Sequence, residues 1–399
     1  MFKKIVTLSL CAFSLYADMT SFYKDALHTL QYEKSYNLYE RSNKTSQSAV
    51  IYSKYANFNV KSDYKREHAQ HLPLTPGSFN TIDIFLTDTI DIFGKTNYKI
   101  ESLHLDKKVA KEQLNVKKEQ LFIALLNLVS LYNRTSKELQ LHQKFFTEQE
   151  MNYEKLKLLG DLGDITKLDL LRFKNTLTTL KIKIVSQNQA LQRMQKQLHL
   201  YARDEAIPTL DEVKLLYSKD DFMAHNPQDT LNSLNARKKI AQAKGMNNSY
   251  LPTLSTDVAY QKLGDPTGSG DNYSLGFTLY MPLNNGSFKN AEALKVSALS
   301  LEAQSITYKI QRESLYIQHR QSYENASQQL AILKKEFSDY EKSEASIKTA
   351  YLKQYVVFNT YLQVLTQALN AKKQIIAMQT LKAKEATLIN AIASGVVYK

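Results

Sequence analysis

The chain has 399 residues, with 52 Lys and Arg against 39 Asp and Glu for a formal net charge of +13, and only 11 Gly and 7 Pro. So few breakers permit long uninterrupted helices. A single cysteine excludes a disulfide framework. Length alone suggests more than one domain.

Residues 1–17 have a basic start at Lys3 and Lys4, a short apolar core and Ala17 before Asp18. That is the layout of a secretory signal peptide, too short to span a membrane. Cys11 follows Leu10 rather than a small residue, so no lipidation signal is read there. Cleavage after Ala17 would leave a chain without cysteine and with a formal charge of +11 (50−39). An exported basic protein meets little nucleic acid. Its charge fits acidic lipid headgroups or an acidic partner, and equally a scattered, solvated surface.

From about Ser21 to Ser53 the spacing of Phe22, Ala26, Leu27 and Leu30 predicts one helix with one apolar face. The period then changes. Phe58, Val60, Ser62 and Tyr64 alternate with Asn57, Asn59, Lys61 and Asp63, which is strand spacing. A polar loop with Pro73, Pro76 and Gly77 leads to a return strand that places Ile82, Ile84 and Leu86 on one side. After Gly94 a helical pattern runs to about Leu159, on the order of 100 Å of helix.

The pattern breaks at Gly163-Asp164-Ile165-Thr166-Lys167-Leu168-Asp169-Leu170-Leu171 and restarts at once. Gly163 permits the turn. Thr166 or Asp164 can cap the new helix, and Asp161, Asp164 and Asp169 place negative charge at its positive end. Beyond it Leu170, Leu177, Ile184, Leu191 and Leu198 repeat every seven residues, and Phe173, Leu180, Gln187, Met194 and Tyr201 form a companion seam. Heptads of this kind want an antiparallel helical partner. Tyr201 to Ser249 holds shorter pieces: a short helix expected near Asp211 to Tyr217, and one that Asn226-Pro227 opens, ending near Gly245.

Much of this then recurs. A strand with Leu254, Thr256, Val258 and Tyr260 precedes the turn-rich stretch Gly264 to Gly270, and Tyr273, Leu275, Phe277, Leu279 and Met281 alternate with Ser274, Gly276, Thr278 and Tyr280. Another long helix follows, with seams at Tyr316, Tyr323, Leu330, Phe337 and at His319, Ala326, Leu333, Tyr340. A second break falls at Val357 to Leu365. Matching landmarks lie 192 to 196 residues apart (286−94, 357−163, 260−64), so the chain reads as a tandem duplication. The repeats span 18–200 and 201–399.

No apolar run after the signal is long enough for a membrane helix, so any crossing is made by strands. The strands have about the length, ~9–11 residues, that a tilted membrane strand needs, although a soluble hairpin packed on helices carries the same alternation. Four strands cannot close a barrel, so a membrane role requires several chains to share one. No phosphate loop, dinucleotide fingerprint, zinc-protease motif or nucleophile elbow is present. His68 and His71 beside Glu67 offer weak chelation at most, and His319 is expected to fill a helix seam. An exposed hairpin tip, made twice per chain, is a docking surface or an aperture.

Four stretches in this order resemble the TolC family of outer-membrane efflux factors over essentially the whole mature length. They are the Gly163 to Leu171 tip, the Asn226-Pro227 helix start, Tyr250-Leu251-Pro252-Thr253-Leu254, and Met281-Pro282-Leu283-Asn284-Asn285-Gly286. The resemblance implies a fold of long antiparallel coiled-coil helices forming an α-barrel, plus four membrane strands per chain given to a trimeric β-barrel. It also implies a homotrimer in the outer membrane, most of it periplasmic, acting as a passive conduit with no catalysis and no cofactor. A periplasmic adaptor would dock at the tips and an inner-membrane pump would deliver the cargo.

On that reading Gly163, Asp164, Ile165, Thr166, Leu168, Asp169, Val357, Asn359, Thr360, Gln363 and Thr366 form the tunnel tip. Leu254, Val258, Tyr260, Tyr273, Leu275, Phe277, Leu279, Met281, Ile82, Ile84 and Leu86 face lipid. Val357, Gln363 and Thr366 stand where better-known members carry a Gly and acidic residues, so an acidic gate is not implied. The joint Asp91-Ile92-Phe93-Gly94-Lys95 resembles that of members serving heavy-metal cation pumps, a lean towards heavy-metal cation or drug efflux. Two other readings stay open on the residues: a periplasmic coiled-coil adaptor or scaffold that never crosses the outer membrane, and an exported hydrolase with an unrecognised site.

Overall fold

A computed structural model describes residues 19–55, 58–68, 78–91, 93–163, 165–203, 205–210, 213–265, 268–281, 285–353 and 355–399. The expected signal peptide, Asp164, Ile92, His71, most of the first hairpin loop and the Pro282-Leu283-Asn284 part of the second joint lie outside them.

The single leading helix expected over Ser21–Ser53 is two helices, α1 (19–29) and α2 (Tyr32–Tyr55). Gln31 adopts φ 53°, a left-handed conformation that ends the helical ladder, and its N–H turns back to the His28 carbonyl at 3.0 Å. Strands β1 (Phe58–His68) and β2 (Ser78–Ile90) follow, then α3 (Lys95–Asp161, 67 residues) and α4 (Lys167–Tyr201, 35 residues). Next come α5 (Lys219–Ala224), α6 (Pro227–Asn247), β3 (Thr253–Asp265) and β4 (Gly268–Tyr280). The chain ends with α7 (Asn285–Leu352, 68 residues) and α8 (Phe358–Ala393, 36 residues). Among the described residues no helix is long and apolar enough to cross a membrane.

The short helix expected near Asp211 to Tyr217 is not formed by the described residues 213–217, which have no regular secondary structure; α5 begins only at Lys219. The Asn390 side chain explains this. Its Nδ2 donates to the Lys214 carbonyl at 2.8 Å, and its Oδ1 accepts the Leu216 N–H at 2.9 Å, so a side chain takes the backbone groups a helix would use.

The duplication is confirmed, with a corrected offset. The two breaks match at 191 residues (358−167 at the helix starts, 352−161 at the helix ends), against 194 read from the sequence. Strands β2 and β4, and helices α3 and α7, start 190 apart (268−78 and 285−95), whereas β1 and β3 start 195 apart (253−58). The change of five residues falls in the first hairpin, which is longer. Gly286 does not open its helix, since α7 begins at Asn285.

The chain divides into two compact units, one of Met1–Glu33, Asn115–Asn226 and Lys309–Lys399, the other of Lys34–Leu114 and Pro227–Tyr308. In the first, Phe22, Tyr23, Phe122, Leu125, Leu198, Phe222, Ile389 and Val397 share one core. Each fully buried aliphatic or aromatic side chain there contributes roughly 1.5–3 kcal/mol. The heptad seams of α4 are real: Phe173, Leu180, Met194 and Leu198 are buried, and the other seam residues are half-buried. His319 does more than fill a seam. Its Nδ1 lies 2.5 Å from the buried Glu385 carboxylate, whose pKa burial pushes up but which His319 and Lys384 together hold below the usual range.

In the second unit the strands form one antiparallel sheet in the order β1-β2-β3-β4. Lys238 pairs with Asp106, and Lys107 with Glu40, between helices of that unit.

Candidate functional site

Three places organise the candidate site: the sheet, its joints to the helices, and the two helix breaks. The sheet register sorts the side chains by face. Val60 lies opposite Leu86, Leu86 opposite Val258 and Val258 opposite Leu275, while Ile84 meets Tyr260 and Tyr260 meets Tyr273. Period-two geometry therefore puts Ile82, Ile84, Leu86, Leu254, Val258, Tyr260, Tyr273, Leu275, Phe277 and Leu279 on one face, as the alternation predicted. Met281 continues that parity one residue beyond β4. Asp88, Lys262 and Asp271 share this face, and among the described residues no protein layer covers it: Leu275 is 64% exposed and Phe277 68%.

The opposite face is polar and concave. Asn59, Lys61, Phe85, Thr87, Asp257, Ala259, Ser274 and Gly276 line a shallow depression of about 660 Å³ on it. The stretch Gly264 to Gly270 is less of a loop than expected, because β3 and β4 pair as far as Asp265 and Gly268.

At the first joint the Asp91 carboxylate accepts the backbone N–H groups of Lys95 at 2.9 Å and Thr96 at 2.8 Å, and the Thr96 hydroxyl at 2.6 Å. It thereby satisfies donors that the first turn of α3 leaves open. Burial pushes the Asp91 pKa up, but these hydrogen bonds outweigh it and hold the carboxyl below its ordinary value. Lys95 Nζ donates to Thr253 Oγ1 at 2.9 Å, tying the start of α3 to the start of β3. Sequence reasoning missed this role of Asp91; its spacing of four and five residues ahead of Lys95 and Thr96 is the signal that was available.

At the tip, α3 ends at Asp161 and Gly163 takes φ +87°, with its N–H bonded to the Gly160 carbonyl at 3.1 Å. Nothing lies within 4 Å of where a Gly163 side chain would begin, so the backbone alone demands glycine there. Gly160, missed by sequence reasoning, lets the next helix close in: a Cβ there would sit 2.5 Å from Leu170 Cδ1, and that side chain would have to shift. Thr166 is the cap, its Oγ1 accepting the Asp169 N–H at 3.1 Å. Its structural counterpart Val357 caps α8 with its backbone only, the Thr360 N–H reaching its carbonyl at 3.1 Å.

The structure brings the two breaks together. Leu156, Phe173, Tyr351, Tyr361 and Leu365 form a buried cluster, with Ile165, Leu170 and Leu362 packed against it. Tyr351 and Tyr361 stack at 5.0 Å, and Tyr153 and Phe173 at 5.8 Å. Burial, with the Asp169 carboxylate adding to it, pushes the Tyr351 phenol up to about 12. Around this cluster Gly163, Thr166, Leu168, Val357, Asn359, Gln363 and Thr366 are exposed, and Ile165, Asp169 and Thr360 are half-buried. Leu162, Leu171 and Tyr355, absent from the sequence-based set, are also more than half exposed. The tip is thus a buried aromatic cluster with an exposed apolar rim. Among the described residues no group of three or more His, Cys, Asp or Glu is placed to hold a metal.

No family model and no curated protein matches the chain in sequence. Solved structures do match it in fold. A CusC structure, from work on folding and transmembrane channel formation, superposes with TM-score 0.77 at 10% identity, covering 94% of this chain and 92% of that one. The outer-membrane protein VceC of Vibrio cholerae gives 0.74 at 12% identity, covering 94% and 96%. The outer-membrane channel OprN gives 0.75 at 11% identity, covering 97% and 92%. At these identities the likeness is one of fold. The fold implied by the sequence resemblance, long coiled-coil helices with four strands in one sheet, is the fold of this chain.

Proposed function

We propose that this chain, having the fold of outer-membrane channels, is the channel-tunnel of a tripartite efflux or secretion system. Three copies contribute four strands each to one barrel, and most of every chain lies in the periplasm. The carrying observation is the sheet: among the described residues one face is mostly apolar and uncovered, and two long edges, β1 and β4, are each paired on one side only. At 11 to 13 residues the strands are long enough for a tilted span. Unpaired edges cannot stay in hydrocarbon, and four strands cannot curl shut alone, so the edges of neighbouring copies pair with one another.

The tips then serve as the docking surface for a periplasmic adaptor. Exposed Leu162, Leu168, Leu171, Tyr355 and Val357 supply apolar contact around the aromatic cluster, and Lys167 and Asp169 flank them. An inner-membrane pump supplies the energy, and the chain itself is a passive conduit. The cargo class that accompanies this reading is a heavy-metal cation or a drug, on the strength of the Asp91, Phe93, Gly94, Lys95 joint.

A cysteine placed at Ser269 and, separately, one at Thr166 test the topology in intact cells treated with a membrane-impermeant maleimide. Labelling at Ser269 alone is the expected result, with the hairpin outside the cell and the tip in the periplasm. Labelling of neither until the outer membrane is opened, with expression and folding confirmed, would favour a periplasmic scaffold instead.

A further inference from the structure

One turn of α3 separates Glu138 from His142, and one turn of α4 separates Lys183 from Gln187, so each pair shares a helix face. The two faces meet. His142 is fully buried, and its Nδ1 lies 2.6 Å from Gln187 Oε1. The Gln187 amide nitrogen donates to Glu138 Oε2 at 3.4 Å, so the amide turns its oxygen to the ring and Nδ1 carries the hydrogen. Nε2 is left buried with no hydrogen-bond partner.

Two amines stand beside this imidazole. Lys183 on α4 and Lys373 on α8 both act on it as positive charges, and the Lys373 amine lies within hydrogen-bonding reach of the Lys183 amine. Cations so placed repel one another. Burial first, and Lys373 next, hold the Lys183 amine below the ordinary lysine value. The acid that acts on the group is Glu138, and Arg134 already engages its other oxygen at 2.8 Å. Among the described residues neither amine is ion-paired with a carboxylate.

Three donors thus converge with no acceptor between them. An oxyanion there would accept from both amines and, once the ring is protonated, from its Nε2–H as well. A tetrahedral dianion has oxygens enough for all three, whereas a halide is a single point. Lys183 is exposed and Lys373 half-buried, so the amines are open to an arriving ion, and His142 is the buried end of the group.

We propose that Lys183, Lys373 and His142 form a binding site for a small divalent oxyanion, such as sulfate or hydrogen phosphate, held between α3, α4 and α8. All three residues belong to one compact unit of one chain, so the site does not depend on the channel reading. Binding is linked to proton uptake. A bound dianion favours the imidazolium, with Lys183, Lys373 and Glu138 the charged groups around it, so affinity rises as pH falls into the ordinary histidine range.

Sodium sulfate titrated calorimetrically into full-length protein in uncharged detergent, with NaCl holding the ionic strength constant, tests the site. Wild type is expected to bind one sulfate per chain, more tightly at about pH 6 than at about pH 8, a range in which sulfate keeps its charge and an ordinary imidazole changes its own. Lys183→Met and Lys373→Met are each expected to weaken binding about tenfold or more, the loss of one charge-assisted contact. Lys183→Arg and Lys373→Arg should retain it, and His142→Gln should bind with the pH dependence gone. No saturable binding by wild type, or Met variants that bind as wild type does, would overturn the site. If both Met variants fail to fold with or without sulfate while the Arg variants fold, the amines answer an acid of a neighbouring copy and the free-anion site is wrong.

Discussion

Single side chains set the ends and seams of the helices. Asp91 satisfies two backbone donors at the start of α3, and losing such a cap costs about 1 kcal/mol. Asp91→Ala is expected to destabilise the purified protein by about that amount near neutral pH, read by thermal unfolding. Because the folded carboxyl lies below its ordinary value, its contribution is present above the unfolded pKa and is lost as pH falls through the folded one. The wild type and the variant should therefore converge in acid.

His142, on α3, behaves differently. It is fully buried, with Nδ1 2.6 Å from Gln187 Oε1. Burial pushes its pKa down, Gln187 pulls it back up, and Lys183 on α4 and Lys373 on α8 push it down again, with Glu138 opposing them. The folded state thus keeps the ring neutral while the unfolded chain takes up a proton near its ordinary pKa of about 6.5. Stability held above that pH drains away below it. His142→Gln should flatten the fall in urea midpoint between about pH 7.5 and 5.5 relative to wild type. An unchanged slope would show that other groups carry the acid sensitivity.

At the scale of elements, periodicity was the legible signal and register was not. The seams of α4 and the apolar face of β2, β3 and β4 were readable because each depends on residues two, three, four or seven apart. The breaks were located, but their correspondence was three residues out, because α8 is capped by the backbone of Val357, which leaves no side-chain signature. The pairing across the sheet was invisible for a related reason. Which residue faces which across the sheet is decided by hairpin length, and the two hairpins differ by five residues.

The sheet also gives the sharpest contrast between faces. Leu275→Arg puts a charge on the uncovered apolar face, which costs roughly 2–4 kcal/mol near a bilayer midplane. Ser274→Arg, one residue earlier, turns to the polar side. The first is expected to reduce outer-membrane insertion and the second to leave it intact, measured as the heat-modifiable trimer recovered from membranes. Equal effects would mean that the apolar face meets protein rather than lipid.

For the whole molecule, the exposed apolar residues of α7 bear on assembly. Val296, Leu299, Ile306, Ile310 and Ile317 follow one heptad stripe and remain more than half exposed in the single chain. A stripe of this kind is completed by another helix. Ile310→Lys is expected to shift detergent-solubilised protein from trimer towards monomer in light scattering, without loss of helical signal. A trimer of undiminished stability would place that stripe elsewhere than between copies.

The one-sided pairing of β1 and β4 has a genetic consequence. In the proposed trimer no copy completes its own hydrogen bonding, so every channel is a joint product of three chains. A variant that assembles normally but blocks passage is therefore inherited as a poison. Expressed at equal level beside the wild type, it would leave about one trimer in eight wholly wild type, whereas a variant that cannot pair its edges would be silently recessive.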